Sequence, residues 1–140
     1  MSKIFVYVSG PISKGDMFVN VRNAILAGER LRAAGLFPYV PHLSFSWQML
    51  SPVAYEAWME LDFAWIERCH VILRLPGDSS GSDREVVHAK SLGLPDFYSV
   101  DQVLAWAATR QGRPAGTGRA CSSCNSPGPD MPCAPGCPNA

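Results

Sequence analysis

Two acidic residues and one tyrosine carry the chemistry that this sequence could perform. Glu85 falls in the first turn of a helix expected from about Ser82 to Leu92. There the positive end of the helix dipole favours an ionised carboxylate, and an ionised carboxylate can act as a nucleophile. An ordinary first-turn glutamate, or a partner for a nearby Lys or Arg, is the plainer reading of the same position. Asp62 sits between Leu61 and Phe63, three and four residues before Trp65 and Ile66, so it shares a partly buried helix face with them. Burial there would raise its pKa and make it a proton donor; a solvated place beside Glu60 fits the periodicity equally well. Tyr7 lies near the carboxyl end of the first strand, either as core or with its hydroxyl seeking a buried partner.

The elements that must hold these residues alternate along the chain. Ile4 to Ser9 is a short β-branched and aromatic run that stops at Gly10-Pro11, as a buried parallel strand does. Val21, Ala24, Ile25 and Leu31 recur at helical spacing between Met17 and Ala34, and Gly35 supplies the stop. Leu36 to Val40 reads as a strand that Pro38 restricts to an edge or a kink. Ser51-Pro52 reads as an N-cap and first helical proline opening a helix to about Arg68. Val71 to Leu75 and Asp96 to Ser99 are further strands, and a last short helix covers roughly Val100 to Thr109. This order implies an α/β fold, flavodoxin-like or Rossmann-like: an open parallel sheet of four or five strands with helices on both faces.

Ligands of such sheets bind beyond the carboxyl ends of the strands, which selects the loops Ser9–Asp16, His42–Trp47 and Pro76–Gly81. Ser79-Ser80-Gly81 precedes a helix N-terminus whose free N–H groups favour a phosphate or a carboxylate, although the same residues often only cap a helix. Gly10 to Asp16 lacks the glycine spacing of a Walker loop or a dinucleotide fingerprint. His42, His70 and His88 have no spacing that would place two metal ligands on one helix face.

Composition narrows the field further. The chain has 140 residues, is 47% apolar and balances 12 basic against 12 acidic side chains, which argues for a folded domain and against bulk nucleic-acid binding. It has no apolar run long enough to span a membrane and no cleavable signal pattern at its start, so the expected location is cytoplasmic. Near Gln111 the character changes: Gly112 to Ala140 holds five Gly, six Pro and four Cys in 29 residues. We divide the chain into a body, residues 1–111, and an irregular Cys/Pro/Gly-rich tail, residues 112–140. Cys121, Cys124, Cys133 and Cys137 form two close pairs that would suit a structural zinc ion; an unstructured reduced tail is the equal alternative.

Three segments in order carry a family resemblance over about residues 4 to 100. They are Val6-Tyr7-Val8-Ser9-Gly10-Pro11-Ile12, then Asp62-Phe63-Ala64-Trp65-Ile66-Glu67-Arg68-Cys69-His70, then Ser79-Ser80-Gly81-Ser82-Asp83-Arg84-Glu85 with Ala89 and Gly93-Leu94-Pro95. Together they resemble the nucleoside 2-deoxyribosyltransferase superfamily, in particular its 2'-deoxynucleoside 5'-monophosphate N-hydrolase branch and related phage and bacterial proteins. The resemblance implies Glu85 as nucleophile, Asp62 as the assisting acid and Tyr7 as a catalytic tyrosine. It implies that Ser79 and Gly81, with the first loop through Ser9, Gly10, Pro11, Ile12, Ser13 and Lys14, serve the 5'-phosphate. His42, with Phe45 and Trp47, would cover the base, or would form a lid or a subunit contact. Asp83 and Arg84 replace a glycine and an aromatic residue of the family pattern, bringing a charge pair beside Glu85.

The implied activity is hydrolysis of the N-glycosidic bond of a small-molecule nucleotide without a catalytic cofactor. Base exchange by a deoxyribosyltransferase and a non-catalytic nucleotide sensor are the alternatives. A homodimer or larger homo-oligomer, with Trp47 and Trp58 as interface candidates, is the implied assembly.

Overall fold

In Phe5–Ser9, which forms β1, every residue but the first is buried, matching the near-continuous apolar run of a central parallel strand. The computed structural model describes residues 3–110. β1 pairs in parallel with β2 (Phe37–Tyr39) on one side and β3 (Val71–Arg74) on the other, and β3 pairs with β4 (Asp96–Phe97). The strand order is therefore β2-β1-β3-β4, an open parallel sheet of four strands. Pro38 occupies the edge strand, where a residue without an N–H disrupts no inner ladder.

Helices cover both faces. α1 (Met17–Ala33) starts at Asp16, whose side chain accepts from the Val19 N–H, and packs on β1 and β2. It ends at Gly35, which adopts φ +91° and so relieves the strain a side chain would meet there. Arg30 of α1 reaches Asp101 in the first turn of α5 (Val100–Arg110) at 2.8 Å. α3 (Tyr55–Ile66) and α4 (Ser80–Ser91) pack together, and α4 lies against β1, β3 and β4. Their core joins Tyr7 and Ile72, neighbours in register, to Ile66, Cys69, Val86 and Ala89. Strand alternation sends Tyr7 and Ser9 to this same face, while Val6 and Val8, equally buried, turn to the opposite one. The chain divides inside α5, between Leu104 and Ala105, so the sheet and every helix before α5 belong to one unit.

Two expectations need correction. Ser51-Pro52 does not open a helix. The chain leaves β2 through a 3-10 turn at Pro41–Ser44 and forms a short helix, α2 (Phe45–Leu50), in place of the expected open loop. Ser51 closes α2, its N–H reaching the Trp47 carbonyl at 2.8 Å with φ −144° and ψ 83°. A following proline favours such extended backbone, and α3 begins only at Tyr55, after Ala54 without a side-chain cap. The second correction concerns α4, which starts at Ser80 and is capped by Ser79, so Glu85 sits in its second turn and not its first. The tail, with Cys121, Cys124, Cys133 and Cys137, lies outside the described residues, as does the boundary after residue 111.

Candidate active site

The carboxyl ends of β1 and β3 open into a cavity of about 360 Å³, walled by the first loop, the turn and helix after β2, α3 and the start of α4. Two features join its loops. Gly77 adopts φ +117°, and a Cβ there would meet Pro11 Cγ at 2.8 Å, so only glycine lets the loops after β1 and β3 approach this closely. At the mouth, Lys14 Nζ meets Asp78 at 2.7 Å in an exposed pair. Gly81 leaves room in the same way for the Tyr55 hydroxyl, 2.9 Å from where its Cβ would stand.

Glu85 lies on the cavity floor, 6% exposed. The pleat that sends Tyr7 and Ser9 to the α4 face aims both hydroxyls at it: Tyr7 donates to Oε2, and Ser9 Oγ donates to Oε1 at 2.9 Å. Tyr7 and Ser9 are themselves fully buried beneath the cavity, so they act through Glu85 and do not line the space a ligand would fill. Burial pushes the Glu85 carboxyl above its usual range, opposed by the bonds from Tyr7 and Ser9 and by the Arg74 charge. The expectation of a carboxylate favoured simply by a helix dipole is thus replaced: desolvation outweighs the groups that support the charge. Tyr7 is held neutral well above the ordinary tyrosine range by burial and then by the Glu85 charge.

Asp62 lines the same cavity from α3 and has no hydrogen-bond partner among the described residues. Desolvation, followed by the Glu85 charge, raises its carboxyl to about 7. The two acids repel each other's charge, so they titrate as a coupled pair. Glu85 ionises first because Tyr7, Ser9 and Arg74 favour its charged form, and Asp62 has no such support.

The run from Gly10 to Lys14, together with His42, Ser79 and Gly81, lines the cavity. His42 is 1% exposed, its Nε2 lies 3.2 Å from the Pro11 carbonyl oxygen, and burial lowers its pKa, which keeps the ring neutral. Ser79 accepts from the Ser82 N–H at 3.1 Å, the capping role weighed for it, while still bordering the cavity. The two charges expected beside Glu85 each have a partner of their own: Asp83 meets Arg74 at 3.1 Å, and Arg84 meets Glu56 at 2.9 Å. Phe45 lines the cavity, whereas Trp47 is half exposed and packs edge-on against Trp58 at 5.2 Å. Trp58, an interface candidate, lines the cavity.

Several site residues escaped sequence reasoning. Ser82, 2% exposed, borders the cavity, and its Oγ has no partner among the described residues. Arg74 is a buried cation whose guanidinium donates to the Leu75 and Gly77 carbonyls and to Asp83, fixing the loop after β3. An arginine inside the apolar run Val71 to Leu75 was its signal, because a charge is seldom buried without a task. Gln48, Tyr55 and Met59 complete the wall between α2 and α3, a region hidden by the misplaced start of α3. Among the described residues no three His, Cys, Asp or Glu side chains gather to hold a metal ion, and no helix is long and apolar enough to cross a membrane.

A comparison with curated proteins finds no match. A family description does match, over residues 4–98, and this span contains all four strands, the three loops and both acids. On that match the chain belongs to the family described as Domain of unknown function (DUF4406).

Proposed function

We propose that the protein hydrolyses the N-glycosidic bond of a (deoxy)nucleoside 5'-monophosphate, releasing the base and the sugar 5-phosphate. One observation carries this reading. A buried carboxylate oriented by two hydroxyls, Glu85, shares a cavity with a second acid, Asp62, that still holds its proton near neutral pH. Two carboxyl groups whose environments separate their pKa values are what glycosidic cleavage requires.

In this mechanism the Glu85 carboxylate attacks C1' of the sugar while the C1'–N electron pair leaves with the base. Asp62 gives its proton to that base, which departs neutral. Water then attacks C1' of the glycosyl-enzyme ester, the ionised Asp62 takes the proton from water, and Glu85 is released as a carboxylate. Tyr7 and Ser9 keep Glu85 in one orientation, sparing the entropy of finding it. The phosphate would rest at the start of α4, against Gly81 and the Ser82 hydroxyl, with Lys14 nearby. The resemblance to the nucleotide N-hydrolase branch supports the same assignment.

Chromatographic separation of base from sugar phosphate, over a panel of deoxy- and ribonucleoside monophosphates, tests the proposal. Release of free base that disappears in Glu85→Gln is expected. Unchanged nucleotide throughout the panel would overturn the glycosidase reading, and transfer of the sugar to an added second base would reassign the protein as a transferase.

A further inference from the structure

The wall between α2 and α3 contains a side chain whose hydrogen-bonding sense is fixed. Gln48 Oε1 accepts from the Val53 backbone N–H at 2.9 Å and from Trp58 Nε1 at 2.6 Å. Both partners can only donate, so the carboxamide cannot be turned over without setting its amino group against two N–H groups. Its oxygen is engaged twice. What remains is the Nε2 amino group, a donor of two protons without a protein partner among the described residues, on a solvent-exposed residue that borders the cavity. Phe45, Trp58 and Met59 line the same cavity, and Trp47 braces the Trp58 ring edge-on.

We infer that Gln48 is a specificity residue that reads a hydrogen-bond acceptor on the base, favouring a nucleobase with a carbonyl at purine position 6 or pyrimidine position 4 over one with an amino group there. The inference rests on the proposed nucleotide substrate and adds its chemical class. An amino group brought to the same place would set donor against donor and forfeit the hydrogen bond that a carbonyl makes there, a modest difference at an exposed side chain that favours the carbonyl-bearing base. The Phe45, Trp58 and Met59 side chains in the lining can pack on the face of either kind of base, so the discrimination falls to Gln48. Trp58 is a positioning residue in this scheme, since its indole N–H sets the orientation of the amide.

The test compares 2'-deoxyinosine and 2'-deoxyadenosine 5'-monophosphates, which present a carbonyl beside N1–H and an amino group beside a bare N1, by calorimetric binding and by hydrolysis. The full-length wild-type protein should prefer the inosine nucleotide by about tenfold or more. Gln48→Glu keeps one oxygen for Val53 and Trp58 and presents the other as an acceptor, so the preference should reverse. Gln48→Met, of similar volume and without polar atoms, should bind both nucleotides with little distinction, and thermal unfolding of each variant checks that it folds. A purely structural staple between α2 and α3 would leave the ratio unchanged in Gln48→Glu, and that result overturns the inference. Equal affinities in the wild type, or binding of neither nucleotide, overturn it as well. Binding with the expected ratio but no release of base would uphold it while ending the glycosidase proposal.

Discussion

The floor of the cavity and its mouth are built on opposite principles. On the floor, Glu85 is buried, both its oxygens are engaged, and its partners Tyr7 and Ser9 stand on the central strand of the sheet. At the mouth, Lys14 and Asp78 hold each other in water, with side chains 62% and 79% exposed. A solvated pair of that kind contributes little to stability and separates readily when a better partner arrives. The difference teaches where precision is stored: the carboxyl group proposed to react is set by the core, whereas the charged groups at the mouth are left free to exchange partners. Asp62 stands between these extremes, placed by a helix but with no recorded bond holding its carboxyl.

The contrast yields a graded set of predictions. Glu85→Gln removes the proposed nucleophile while keeping its volume and should lower kcat/KM by at least about 10³-fold in the base-release assay. Asp62→Asn removes the proposed proton donor and should cost about 10²- to 10³-fold. Wild-type activity should fall below the raised Glu85 pKa as that group takes up its proton, and fall again above about 7 as Asp62 loses its own. The alkaline limb should vanish in Asp62→Asn.

The same substitution has an effect on stability. Folded Asp62 keeps its proton up to about 7, whereas in the unfolded chain it ionises near the ordinary aspartate value. Stability attributable to this group is therefore full in acid and declines as pH rises through that window. Asp62→Asn should leave acid stability unchanged and raise it at pH 8 by about 1–2 kcal/mol in denaturant titrations, a figure reduced for solvent reaching the carboxyl through the cavity. Tyr7→Phe comes next. It should lower kcat by about tenfold, leave KM nearly constant and move the acidic limb upward, because Glu85 loses a bond that favours its charge. Lys14→Ala should show the smallest effect, a rise of about threefold in the nucleotide KM. If Lys14→Ala cost more than Tyr7→Phe, the ordering of floor over mouth would be broken.

Much of this arrangement is legible in sequence because it depends on local patterns. The β-branched run before Gly10-Pro11 announces β1, Gly35 marks the end of α1, and Pro38 places β2 at an edge. The gathering of Tyr7, Asp62 and Glu85 follows from strand ends and helix faces once a parallel sheet is assumed. The segment from Phe45 to Ala54 resisted because Ser-Pro is an ambiguous signal: it can open a helix, or it can force extended backbone and end one. Here the tertiary bonds decide, with the Ser51 N–H closing α2 and Gln48 accepting from Val53 and Trp58. Those contacts join residues whose pairing no periodicity announces, so the wall they form stayed hidden with them.

Tyr7 belongs to two assemblies. Its ring is part of the cluster with Ile66, Ile72 and Val86, and its hydroxyl ends on Glu85. On the proposed mechanism, reactivity and cohesion share a single pillar. Mutations away from the cavity, such as a shortened side chain at Ile72 or Val86, would then tilt that ring and blunt the proposed chemistry before the molecule came apart. Selection acting on turnover alone would then also preserve the packing behind the sheet.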